Sequence, residues 1–286
     1  MLRLIGRRTG GMILVVFVAV TAMFFLMRAA ADGPLDSFAP AAAANPEARA
    51  AIENRLGLDR PLFEQYTDYL QGVVTGDFGE SFADGSSVAE QIADALPVSL
   101  ELGLLAAGGA ITLGLALGAW AALHQGRPVD GAARLVSVLA LSVPSYWLAV
   151  VCVIVAGERF PELLPGAGGY VPFASDPLAN LQVMILPALV LGLGAFALVA
   201  RSLRSALVDV LALDDVRFAR AMGMPERQVV RRIALPNAVL PTLAVMGLAI
   251  GGLVSGTVLI ENVFQLPGLG QLMVTAFVRR DYPLAL

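Results

Sequence analysis

Stretches of roughly twenty predominantly apolar residues, the length needed to cross a bilayer, recur along this chain and constrain it more than any other feature. They lie at Gly10–Met27, Pro97–Leu123, Leu135–Ala156, Leu181–Leu203 and Ala238–Ile260. In lipid each backbone N–H and C=O has to be satisfied by protein, so segments this apolar span as helices. Charged residues make up only 15% of the chain, where about 25% is usual for soluble proteins. The first stretch follows Arg3, Arg7 and Arg8 and lacks the combination of a small-residue cleavage site and a soluble mature domain behind it. With further spans following, it reads as a retained anchor rather than a signal peptide. The expected fold is an all-α, polytopic membrane helical bundle with five spans. Residues 1–30 would form a short cytoplasmic segment and the first span, 31–96 an external helical cap or loop, and 97–286 the core.

Composition removes several kinds of chemistry. All 19 basic residues are arginine, so the lysine of a phosphate-binding P-loop and the lysine of a Schiff base are both absent. One histidine, His124, and one cysteine, Cys152, build neither a zinc site nor an intrachain disulfide. Cys152 sits within an apolar span and reads as a small buried hydrophobe. His124, beside Gln125 and Gly126, reads as an interfacial loop residue. No nucleophile, base and orienting group occur together, so no catalytic residue, cofactor site or metal site is expected in this chain.

The arginines orient the spans, because cytoplasmic loops carry the excess of basic residues. Arg3, Arg7 and Arg8 place the N-terminus inside. Ala31–Leu96 carries twelve acids against Arg49, Arg55 and Arg60 and belongs outside. The short Gln125–Arg134 turn returns inside, and Glu158–Pro177, with three acids and one arginine, lies outside. Residues 201–235 then hold seven arginines, from Arg201 to Arg232, and face the cytoplasm. Within the external segment, Ile52 and Leu56, and after a break Leu62, Tyr66, Tyr69 and Leu70, recur at helical spacing. Pro61 is a plausible helix start, and "TGDFGESF" reads as turn-rich.

The most unusual stretch is "ARAMGMPERQVVRRIALP" at 219–236. From Asp214, "DDVRFARAMG" spells a short helix with acids in its first turn and Gly223 at its C-terminal end. Val216, Ala219 and Met222 share one stripe, with Phe218 beside Met222, and Arg217 and Arg220 fall opposite. Pro225 starts a new helix that runs into the last span. Two readings suit this amphipathic helix: it lies on lipid head groups, or it docks in a groove of a soluble partner.

Gly223, followed after nine residues by Ile233-Ala-Leu235-Pro236, resembles the "EAA" loop of importer-type ATP-binding-cassette (ABC) transporter permeases, with Ala219 as its last small residue. Arg217 and Phe218 stand where Glu and Ala occur in the general form, a variant similar to the oligopeptide/dipeptide/nickel branch. Met222 replaces a usual lysine and Val216 an aromatic. "LGLDRPLFEQYTDYLQGVVTGDFGESF", "LPVSLELGLL", "LSVPSYWLAV", "ARSLRSALVDVL", "VLIENVFQLPGLGQLM" and "RRDYP" follow in the branch's order, so the resemblance covers nearly the whole chain. The usual "PGDP" after the first span is blurred to "ADGPLDSF". A sixth span after "RDYP" is expected from the family, and this sequence ends at Leu286.

The resemblance implies the permease fold of a type I ABC importer and a multi-pass protein of the bacterial cytoplasmic (inner) membrane. It implies a second homologous permease, two cytoplasmic ATPase subunits that bind the ATP and Mg, and an extracytoplasmic solute-binding protein. Residues 214–227 would be the coupling helix, with Arg217, Ala219, Arg220, Ala221, Met222, Gly223, Met224, Pro225 and Glu226 at the ATPase contact. Peptides are the implied cargo, with nickel or another chelated metal as the alternative. Candidate path residues are Ser142, Tyr146, Trp147, Ser255 and Glu261, the last an acid at membrane depth. Gly247, Gly251, Gly252 and Gly256 suit close helix packing or, alternatively, a cavity wall. Pro144 is expected to kink the third span, with Ser142 satisfying freed backbone groups. A secondary transporter would need intramembrane charges placed for ion coupling, and internal repeats; neither is visible, as the middle of each span is nearly free of charge.

Overall fold

The computed structural model describes residues 2–29, 59–81, 83–160, 169–279 and 281–285, together with Ala50 and Leu164. The part of the proposed external cap at 31–58, Ala50 apart and including Ile52 and Leu56, lies outside the described residues. Those described form α1 (Leu2–Ala29), α2 (Leu62–Thr75), α3 (Val88–Leu123), α4 (Pro128–Ser142), α5 (Ser145–Arg159), α6 (Pro177–Leu211), α7 (Asp214–Ala221) and α8 (Glu226–Gln228). A π-helical turn, Val229–Ala234, leads into α9 (Leu235–Phe264), followed by α10 (Leu269–Arg279) and α11 (Tyr282–Ala285). The chain divides into two compact units, Met1–Asp94 with Leu272–Leu286, and Ala95–Gln271.

Among the described residues four helices are long and apolar enough to cross a membrane, or five when α4 and α5 count as one broken span. That agrees with the expected number, but the third span is bent far more than a kink. α4 and α5 meet at 94°. Pro144 has no N–H to continue a helix and pushes the residue before it out of the helical region; Val143 takes φ −85°, ψ 121°. Ser142 Oγ donates to Val138 O at 2.8 Å, so it doubles an existing helical acceptor on the α4 side of the break.

In the first unit the aromatic residues of α1 and α2 hold the helices together. Phe24 is 1% exposed and stacks on Tyr69 with ring centroids 5.3 Å apart, while Thr21 Oγ1 and Tyr66 OH share a 2.7 Å hydrogen bond. The expected helix over Leu62–Leu70 is α2, and Gly76 ends it at φ +77°. The turn-rich "TGDFGESF" is pinned by "RRDYP" from the far end of the sequence. Ser81 Oγ donates to Asp281 Oδ2 at 2.5 Å, and Ala83 N–H reaches the same oxygen at 3.3 Å. Two motifs about 200 residues apart therefore form one element.

In the second unit α6 is the central helix and is more buried than α3 or the stretch that contains α9. Val98, Leu102, Ala106 and Ala110 of α3 meet Met184, Ala188, Leu191 and Ala195 of α6, with Ala249, Leu253 and Ile260 of α9 completing the core. Lipid offers no hydrophobic drive for helices to associate, so close backbone approach through small residues replaces it. Those small residues are Gly114 and Gly118 of α3 and Gly192 of α6. A Cβ on Gly118 would sit 2.5 Å from Ala200 O, one on Gly114 2.9 Å from Phe196 O, and one on Gly192 2.8 Å from Ala106 O. The glycines expected to pack α9 behave differently. Gly247, Gly251 and Gly252 have nothing within 4 Å of a Cβ, and only Gly256 meets a neighbour, Leu191.

Each end of this unit has a polar tie. At one end Glu261, 0% exposed, accepts from Ser99 Oγ at 2.7 Å, from Gly270 N–H at 2.7 Å and from Gln271 N–H at 3.1 Å. The carboxylate thus caps the start of α10 and binds α3. At the other end Asp130 accepts two bonds from Arg204, at 2.5 and 2.8 Å, and one from Gly126 N–H at 3.1 Å. Ser99 and Ala122, near the two ends, are about 35 Å apart along α3 at 1.5 Å per residue, enough to cross the hydrocarbon core of about 30 Å.

Asp130 is 1% exposed, so Asp130→Ala would strand the Arg204 guanidinium. With Arg204 itself 21% exposed, the expected loss is about 1.5–3 kcal/mol of stability, read as a fall in thermal midpoint in detergent. Asp68→Ala removes an exposed pair with Arg60 and should cost about 1 kcal/mol or less. A second test concerns Tyr170, outside the spans, whose hydroxyl donates to Glu101 at 2.9 Å. Burial, and then the adjacent Glu101 carboxylate, push its hydroxyl up from 10.0 to about 12. The fold favours the neutral phenol, so this contribution to stability is complete below pH 10 and is lost as pH rises to about 12. A late tyrosinate absorbance step near pH 12 is expected, and Tyr170→Phe should remove it.

Candidate functional site

The arginine-rich corner expected between the last two spans is built by α7, a turn and α8. Asp214 and Asp215 occupy the first turn of α7, where negative charge suits the helix dipole. One face is buried: Val216 at 1% and Ala219 at 8% exposure pack on Val229, with Val210, Leu211, Met224 and Ile233 around them. The expected stripe is only half right. Phe218 and Met222 are 66% and 73% exposed, so the helix presents two large apolar side chains on its outer side. Eight residues turn through about two turns, and Val216 and Ala219 already fill the inward positions.

The C-terminus of α7 closes as a Schellman turn. Gly223 N–H donates to Arg220 O at 3.0 Å and Met224 N–H to Ala219 O at 3.1 Å, the two bonds that define the motif. Gly223 lies at φ +83° as the sequence implied, and a Cβ there would meet nothing within 4 Å. A side chain at this position is penalised by backbone conformation and not by lack of room.

Across the turn, Arg220 and Glu226 face each other. Arg220 Nε donates to Glu226 Oε2 at 2.9 Å and Nη2 to Oε1 at 2.6 Å. This hydrogen bonding pushes the Arg220 guanidinium further up from its ordinary value. Arg217 makes only a 3.3 Å contact with Asp214, with both groups largely exposed. The Arg220–Glu226 pairing was not apparent in the sequence, since six residues and a break separate the two. Pro225 precedes α8 as expected, with Gln228 N–H bonded to its carbonyl at 2.8 Å. The π turn that follows was not foreseen: Leu235 N–H reaches back to Val230 O. Pro236 can neither donate to the Arg232 carbonyl nor tolerate it under its ring, and the helix is wide just before it.

The proposed path residues do not form one cluster. Tyr146 and Trp147, 52% and 57% exposed, begin α5 beside the 94° bend, with exposed Ser142 just before it. Ser255 lies on the open face of α9 with Gly247, Gly251 and Gly252. Glu261 is separate and has no exposed surface for a solute to meet. A Cβ on Gly268 would sit 2.5 Å from its carboxylate, and one on Gly270 would strike the backbone of Val258. The "ENVFQLPGLG" run is thus fitted around this acid. The glycines at 268 and 270 signalled this tight corner, whereas Ser99 carried no sequence signal. His124 Nδ1 lies 2.9 Å from Trp120 O at the end of α3, and Cys152 is half-buried against the core. Among the described residues no group of three or more His, Cys, Asp and Glu side chains is placed to hold a metal ion.

This chain is similar to proteins of known families along its whole length. Residues 114–286 match the family described as binding-protein-dependent transport system inner membrane component, and residues 1–103 match the N-terminal family of the same membrane components. The di/tripeptide transport system permease protein DppB of Pseudomonas aeruginosa is 36% identical over 99% of this chain and 90% of its own length. The oligopeptide transport system permease protein OppB of Escherichia coli is 37% identical over 100% of this chain and 90% of its own. A crystal structure of an amino acid ABC transporter with histidines shares the fold, with a TM-score of 0.50 at 16% identity over 68% of this chain and 83% of that one. With its apolar spans, its arginine-bearing corner and these matches, the chain belongs to the family of binding-protein-dependent transport system inner membrane components.

Proposed function

We propose that this chain is the permease subunit of an ABC importer for di- and oligopeptides, with α7 as the helix that receives the motion of a partner ATPase. The observation that carries the second half is the pair Phe218 and Met222, exposed on a helix whose other face is anchored to the chain's own core. Large apolar side chains on an arginine-bearing element are the anchors expected at a protein groove. The peptide cargo is supported by the names of the relatives, which are peptide permeases. No observation favours the nickel alternative.

In this reading the N-terminus is cytoplasmic, two partner ATPases bind and hydrolyse the ATP, and a solute-binding protein delivers peptide on the other side. A second, homologous permease completes the path. Ser142, Tyr146, Trp147 and Ser255 lie on surface that is open in the single chain and are candidates to meet solute or that partner. Glu261 serves instead to set the corner before α10. ATP drives transport only by favouring one of two packed states, so α7 has to differ in its contacts between them.

Phe218→Asp should release the ATPase subunits or abolish transport in the reconstituted complex while leaving membrane insertion intact. Gly223→Val imposes a left-handed conformation costing roughly 1 kcal/mol or more and should reduce coupling at normal abundance. A cysteine at Arg220 labelled from outside intact cells would overturn the orientation. Normal transport by Phe218→Asp would make α7 a lipid-surface helix and defeat this proposal.

A further inference from the structure

We propose that Arg220 and Glu226 are a positioning pair that sets the angle between α7 and the helix leading into the membrane. The pair thereby makes the corner transmit displacement instead of absorbing it. The inference rests on α7 being the coupling helix.

The backbone at this corner is weakly determined. α7 ends at Ala221 and α8 begins at Glu226, so no continuous helical ladder crosses Met222–Pro225. Gly223 sits within that gap at φ +83°, and glycine offers little resistance to rotation. The Schellman bonds tie Gly223 and Met224 back to Arg220 O and Ala219 O, and Gln228 and Val229 bond to Pro225 O, so no backbone bond links Met224 and the residues before it to α8. Pro225 has no N–H with which to extend them. The apolar contact of Met224 with Val216, Ala219 and Val229 gives cohesion without direction.

Direction comes from the side chains. The guanidinium of Arg220, in the last turn of α7, meets the carboxylate of Glu226, the first residue of α8, through two parallel bonds of 2.9 and 2.6 Å. A fork of this kind fixes the relative orientation of two planar groups as well as their distance. A single lysine–carboxylate contact would leave the angle free. The pair bridges the gap that the backbone leaves open. It also uses the Arg220 donors within the chain, whereas Arg217 is 69% exposed with one 3.3 Å contact. Arg220 thus acts through Glu226, and the arginine of α7 more open to a partner is Arg217.

The test uses the full complex with its ATPase subunits and solute-binding protein in proteoliposomes, reading peptide transported per ATP hydrolysed. Arg220→Glu and Glu226→Arg each put like charges across the corner, and each should lower that ratio by roughly three- to fivefold. The exchanged double variant, Arg220→Glu with Glu226→Arg, should restore it to within about twofold, because the pair is remade with its partners reversed. If either single variant keeps the native ratio, or the double variant is as impaired as the singles, the pair does not position the helix. Should a reversal prevent assembly, Arg220→Lys keeps the charge but loses the fork, and a native ratio in that variant overturns the proposal. Phe218→Asp in parallel separates the two ideas. Retained ATPase and normal transport there defeat the coupling-helix reading itself. Its failure alongside native singles defeats only the pair.

Discussion

The second unit depends on α3 and α6 lying with backbones almost in contact. Helices in lipid gain little from burying apolar side chains against one another, since the solvent they leave is equally apolar. What remains is dispersion at short range, and that needs residues without side chains at the crossing. Gly114, Gly118 and Gly192 provide it, each with a neighbouring carbonyl where a Cβ would be. Once this pair is seated, the rest of the unit is arranged around α6, with α9 along one side and the broken α4–α5 span along others. The polar ties follow from the same seating. Ser99 of α3 reaches Glu261 of α9 at one end, and Arg204 of α6 reaches Asp130 of α4 at the other.

These ties are buried ionic groups, and such groups are weak evidence for stability in themselves. Replaced by well-packed apolar residues, they often cost nothing; broken on one side, they cost several kcal/mol. Their use here is register. Glu261 is held by three donors from two separate segments, so α10 starts at one place and no other. Asp130 takes both oxygens of its carboxylate to Arg204 and adds the Gly126 amide, which fixes the short α3–α4 turn against α6.

The corner at α7 obeys a different logic. Its inner face is anchored by Val216, Ala219 and Val229, its outer face leaves Phe218 and Met222 uncovered, and its joint to the membrane helix is short and broken. In the proposed function a lever of this kind has to be stiff where it bends. The Schellman turn and the Arg220–Glu226 fork stiffen the joint itself, and the π turn beyond it lies in the helix that continues into α9.

The spans were legible from hydropathy alone, because length and apolarity are properties of the chain before it folds. The same is true of α7, its acids in the first turn and the left-handed Gly223, which follow from local backbone preference. The family was legible too, through short motifs in order. Three things were not. Which glycines pack and which face open space depends on the neighbour: Gly118 has Ala200 O against it, while Gly251, also glycine in an apolar helix, has nothing. Proline announced a break at Pro144 but not its 94°, which is decided by what α4 and α5 pack against. The partners of Glu261, Asp130 and Arg220 likewise lie across a helix interface or beyond a turn, where periodicity carries no information. One-dimensional pattern determines which segments are helices and how the chain is threaded; only tertiary contact decides which side chains meet, because a hydrogen bond depends on distance in space and not along the sequence.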